Sequence, residues 1–101
     1  MNLDNLEFST VYGVVKIPLK SIVLDMECRS SNSFNFILKI DDVVIGNVHL
    51  TYDDLRRKSD GIVERAVYYY LFVEIVKYII VSHYQQMHDN GYVRKIFVNV
   101  P

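Results

Sequence analysis

The chain has 101 residues, 50% of them hydrophobic and 23% charged, with 11 basic against 12 acidic side chains and a formal net charge of -1. These values describe one ordinary folded domain, 1–101, and exclude a disordered chain or tandem domains. The charge balance lacks the basic excess of a phosphate-backbone binder, and the single cysteine, Cys28, excludes an internal disulfide, a zinc ribbon and a CxxC redox pair.

The opening run Met1 to Glu7 carries neither a basic flank nor an apolar stretch, so it does not read as a secretory signal, and residues 1–10 are expected as a loose amino end. Val11 to Ile17 is β-branched and aromatic, Pro18 interrupts it, and Leu19 to Glu27 resumes with Ile22, Leu24 and Met26 on alternate positions. Proline cannot donate to a ladder, so these are two strands or one edge strand bent at Pro18. Arg29 to Ser33 is a cluster of turn formers. After it Phe34, Phe36, Leu38 and Ile40 alternate with Asn35, Ile37 and Lys39, which is a strand with one wet face.

Asp41-Asp42 reverses the chain into Val43 to Leu50. A two-residue loop there places Phe36 beside Asn47, whereas one more loop residue places the phenylalanines beside Gly46 and Val48, so the longer loop is expected, with Val44, Val48 and Leu50 in the core. Thr51 followed by Asp54 reads as a capping box that opens a short helix over Tyr52 to Lys58. Beyond Ser59-Asp60-Gly61 the period turns helical to about residue 89, where Asn90-Gly91 stops it, and Tyr92 to Val100 returns to strand alternation. The expected fold is α+β: a mostly antiparallel sheet of about five strands packed on one long C-terminal helix, about 61–89, followed by a final strand.

Chemistry-bearing residues are few. His83, His88 and Asp89, with His49 as a third imidazole, are the one set with metal-ligand residue types. Five residues along a helix rotate a side chain by about 140 degrees, however, so His83 and His88 point apart. Asp41-Asp42 and Asp53-Asp54 fall at turns, where Asp bonds local backbone. The serines and Cys28 lack the base and orienting partner that a nucleophile needs. Arg56, Arg57 and Lys58 are a short basic run that could touch nucleic acid and more often complements the dipole of its own helix. The stretch Ile37 to Gly46 resembles the central hairpin of acetyltransferases of the GNAT superfamily. No Gly-rich acyl-CoA loop precedes a helix, so that activity is not carried over. No catalytic residue, cofactor or metal is assigned.

The long helix is the unusual feature. From Ala66 to Val81 its charges are Glu74 and Lys77 alone, and these two, one turn apart near the middle, argue against a bilayer span. Projection places Ile62, Ala66, Tyr69, Val73, Val76 and Ile80 on a core stripe. Tyr68, Leu71, Glu74, Ile75 and Tyr78 then fall on the opposite side, where a helix facing water would be charged. Three covers compete for that side: the amino-terminal residues Leu3, Leu6, Phe8 and Val11, a second copy of the chain, or another protein. The resulting expectation is a non-enzymatic protein-binding module, self-associating as a homodimer, without membrane partners and cytoplasmic. The alternatives are a small enzyme or ligand- or metal-binding domain using His83, His88 and Asp89, and a nucleic-acid contact through Arg56, Arg57 and Lys58. Phe, Tyr, Met, Ile, Asn and Lys far outnumber Gly, Ala, Arg and Pro, a usage typical of AT-rich genomes that points to a viral or phage accessory protein acting on a host factor.

Overall fold

Two three-stranded antiparallel sheets and one long helix share a single apolar cluster in the computed structural model, which describes residues 4–58 and 64–98 and only the backbone of 64–67. The first sheet has the order β1 (Asn5–Thr10), β2 (Gly13–Pro18), β6 (Phe97–Val98). Its core row is Leu6 and Phe8 opposite Ile17 and Val15, with Phe97 beyond Val15. Asn5–Thr10, expected as part of a loose amino end, is a paired strand: Leu6 is buried and every residue of β1 has a partner in β2, while residues 1–3 lie outside the described residues. Val11 and Tyr12, expected inside a strand, instead form the turn between β1 and β2. Gly13 follows at φ +131°, a conformation that side chains resist. Tyr12 stacks face to face on Tyr84 with ring centroids 3.9 Å apart, which latches the hairpin tip to the carboxy-terminal helices.

Pro18 ends β2, and a 3-10 turn over Leu19–Ser21 carries the chain into the second sheet, so the two runs on either side of the proline are separate strands in separate sheets. The second sheet has the order β3 (Ile22–Ser30), β4 (Ser33–Ile40), β5 (Val43–Thr51). Asp41 and Asp42 both adopt positive φ, 51° and 66°, so Ile40 pairs directly with Val43 across a two-residue loop. This is the primed hairpin turn that suits the twist of antiparallel strands, and Asp is among the residues that tolerate it. The expected longer loop is absent. The register is corrected instead by a bulge at Ile45, after which Leu38 pairs with Gly46, Phe36 with Val48 and Phe34 with Leu50. As a result Val44 is 61% exposed and Ile45, at 8%, takes the core position expected for Val44.

Thr51 caps α1 (Tyr52–Lys58) as expected: the Asp54 amide donates to Thr51 Oγ1 at 3.1 Å and the Thr51 amide donates to Asp54 Oδ2 at 2.9 Å. The long helix is divided into α2 (Glu64–Ser82) and α3 (Tyr84–Asp89), with His83 outside both at φ -113° and ψ 18°. A Schellman motif closes α3. The Gly91 amide donates to the His88 carbonyl, the Tyr92 amide donates to the Met87 carbonyl at 2.8 Å, and Gly91 sits at φ +72°. Tyr92 is then buried, with its hydroxyl donating to the Ile40 carbonyl at 3.0 Å. This anchor overrides the strand alternation that follows. Val93–Ile96 forms one helical turn, α4, and the final strand shrinks to Phe97–Val98; the expected Asn99 and Val100 lie outside the described residues.

The buried side of α2 is Ile75, Val76, Ile79 and Ile80, a stripe rotated from the projected one, because the helix packs on β1 as well as on β4 and β5. Ile75, expected on the outer side, is core at 3% exposure, while Tyr69, expected in the core, is exposed. Ile62 and the side chains of Ala66 and Val67 lie outside the described residues.

Phe36 is buried between its pairs Met26 and Val48, so Phe36→Ala is expected to cost about 3 to 5 kcal/mol, read as the shift of a denaturant midpoint. Gly46 lies against the His83 ring, and a Cβ there would stand 2.7 Å from three ring atoms. Gly46→Ala should therefore destabilise the chain, and less so in a His83→Ala background; equal costs in the two backgrounds would show that the ring is free to move aside.

Candidate functional site

α2 follows α1 and returns along β5, so that its carboxy end meets Gly46 while its first turns lie toward the α1 end of the sheet. This path sets what the outer side of the helix presents. Tyr68 is 82% exposed, and Tyr69 and Tyr78 are also exposed, whereas Leu71 and Glu74 are half-buried. Of the five residues expected on an outer ridge, Tyr68, Leu71, Glu74 and Tyr78 remain accessible to different degrees and Ile75 is withdrawn into the core. Tyr69, assigned from the sequence to the opposite stripe, joins Tyr68 on the surface. No local sequence signal marks it, because the apolar run around α2 is continuous and its buried stripe is set by packing on β1 as well as on β4 and β5.

The basic run beside this surface is engaged locally. Arg57 Nη2 donates to Asp54 Oδ1 at 2.6 Å, and Lys58 Nζ stands 5.6 Å from the centroid of the Tyr78 ring, a cation-π contact between α1 and α2. His49, Leu50, Asp54, Arg57, Lys58 and Tyr78 line a cleft of about 440 Å³ where α1 crosses the end of β5. Lys58 and Tyr78 also border a second depression of about 180 Å³ with Glu74, Lys77 and Val81. The tyrosine surface is thus a shallow relief of aromatic ridges with charges between them.

The histidines do not converge. His83 Nδ1 donates to the Ile79 carbonyl at 2.8 Å and its ring lies on Gly46, which makes it a packing residue at the helix break. His88 is exposed, 3.8 Å from Asp89, whose Oδ1 accepts from Gln85 Nε2 at 2.9 Å. His49 pairs with Asn35 on the outer face of the second sheet. Among the described residues no three His, Cys, Asp or Glu side chains group as metal ligands, and no helix is long and apolar enough to cross a membrane. Comparison of the chain with known protein families, curated proteins and solved structures finds no match.

The Thr51 amide, then the Thr51 hydroxyl, and then the Arg57 guanidinium hold the Asp54 carboxyl below the usual carboxylate range. A group depressed on folding contributes stability above its unfolded value and loses it as pH falls through the folded one. Asp54→Asn should accordingly lower the denaturation midpoint at neutral pH, and the gap to the wild type should close on acidification below the carboxylate range. A gap independent of pH would assign the loss to geometry instead of charge.

Proposed function

We propose that the chain is a small protein-binding module without chemistry of its own, and that the exposed tyrosines of α2 mark its recognition surface. The observation that carries this reading is the exposure of Tyr68, Tyr69 and Tyr78 on one helix: Tyr68 and Tyr69 continue the buried stripe of Ile75, Val76, Ile79 and Ile80 toward the amino end, where it is no longer covered, and Tyr78 lies on the outer side. An aromatic ring in water is apolar area whose removal from solvent favours association, and the tyrosine hydroxyl keeps a hydrogen-bonding tip for the wet rim of an interface. Glu74 and Lys77 between the rings supply the charge pattern that discriminates partners. A second copy of the chain and a different protein are both partners of this kind. The amino-acid usage favours a viral or phage source, for which the economical role is an accessory protein that modulates a host factor in the host cytoplasm.

A photoreactive side chain at position 68, at position 78, and at the exposed Lys16 as control tests this. The reading expects a discrete protein adduct from 68 and 78, none from 16, and its loss when Tyr69 is replaced by Ser. The mass of the adduct tells a second copy from a different protein. Equal labelling from all three positions, or none from 68 and 78, removes the exposed tyrosines of α2 from recognition.

A further inference from the structure

The nine residues of β3 form one edge of the second sheet, none of them is buried, and β4 is the only described strand paired to them. The Asp41 amide donates to the Ser21 carbonyl at 2.9 Å, which fixes the phase of the β3–β4 ladder. Antiparallel ladders alternate, so Val23, Asp25 and Glu27 bond to β4, and the backbone N–H and C=O groups of Ile22, Leu24, Met26 and Cys28 face away from the sheet. Edges of this length are normally blunted by charged side chains, by proline, by a charge pointing toward the core, or by a bulge. β3 does carry Asp25, Glu27 and Arg29, of which Asp25 closes on Lys39 and Glu27 on Arg29. β3 has no proline after Pro18, its core-side residues Ile22, Leu24, Met26 and Cys28 are uncharged, and its bulge lies at the far end between Cys28 and Ser30.

We propose that β3 pairs antiparallel with β3 of a second copy about a two-fold axis at Leu24, joining the two three-stranded sheets into one of six strands. Charge selects both the occupant and the register. An axis at Asp25 sets that carboxylate against itself, an axis at Met26 sets Asp25 against Glu27, and an axis at Glu27 sets Glu27 against itself, all destabilising directly across a ladder. An axis at Cys28 matches Glu27 with Arg29 and runs into the bulge. The axis at Leu24 meets none of these obstacles: Leu24 faces its own copy, Ile22 faces Met26, Asp25 faces Val23 and Glu27 faces Ser21. Axes at Ile22 and Val23 also avoid like charges but leave one or three residues of β3 paired before the 3-10 turn over Leu19–Ser21. The axis at Leu24 instead pairs Ile22 through Met26 with the apolar row continuous across it, and covers Met26, 56% exposed in one chain. This surface is separate from the exposed tyrosines of α2, and either assignment stands without the other.

Sedimentation equilibrium of the full chain tests it. The wild type is expected to be a dimer in the micromolar range. Met26→Pro removes an amide that the single chain does not use and Met26→Lys adds the missing core-side charge, so both should be folded monomers with unchanged far-ultraviolet circular dichroism, while Leu71→Glu should remain dimeric. For the register, Leu24→Cys in a Cys28→Ser background should yield covalent dimers on oxidation, since directly paired Cα atoms stand within disulfide reach, and Cys28 in the otherwise unaltered chain should not. A wild type that is monomeric at hundreds of micromolar, a dimer that survives Met26→Lys, a dimer dissolved by Leu71→Glu, or covalent dimers through Cys28 would each overturn the assignment.

Discussion

Every other element of this fold depends on the burial of four adjacent side chains of α2: Ile75, Val76, Ile79 and Ile80, none more than 3% exposed. Three strands need a packed apolar face to be stable, and here two such faces meet the same helix, which touches β1 on one side and β4 and β5 on the other. A stripe wide enough to serve two sheets occupies more of the helix circumference than the usual single-face stripe. That requirement accounts for most of the apolar excess that the sequence shows around this helix. The tyrosines are what is left once it has been met.

The same constraint explains which parts of the fold were legible. Elements set by local chemistry were read at their true positions: the Thr51–Asp54 cap, the turn at Asp41-Asp42, and the stop at Gly91, each of which rests on a few neighbouring residues. The helix faces were not, because a projection assumes one buried direction and one unbroken axis. Ile75 was placed outside and Tyr69 inside for that reason, and the break at His83 has no sequence signature apart from the ring itself, which settles on Gly46 some 37 positions away in the chain. A contact of that separation is set by tertiary packing.

The second hairpin shows a different limit. Hydrophobic alternation put the phenylalanines on the face of Gly46, Val48 and Leu50, where they are, though beside Gly46 and Val48 instead of Val48 and Leu50. It could not distinguish a lengthened loop from a tight turn followed by a bulge, since both shift the faces by one residue. The turn chemistry decides between them. Two aspartates at positive φ close the loop in two residues, so the extra residue has to be absorbed within β5. Ile45 absorbs it, and the adjoining Val43 and Val44 are turned out to solvent beside Met87 and Tyr92. Two exposed valines at a strand start are the visible consequence of a register repaired after the turn.

The candidate chemistry was legible mainly as residue types, and geometry changes what those types mean. Arg57 and Lys58 read from sequence as a basic patch, yet one cation closes on Asp54 and the other lies over the Tyr78 ring. Their role is to join α1 to the outer side of α2, which brings the cleft lined by His49 and Leu50 to the margin of the tyrosine surface. A phosphate backbone would compete with both of these internal contacts and would have to break them to bind, so its gain is diminished by what it disrupts. A protein that buries the tyrosine rings leaves both contacts in place and shields them from water, where a cation over an aromatic face is strengthened by desolvation. The engaged charges are thus compatible with the protein recognition proposed above and would have to be released for a phosphate backbone.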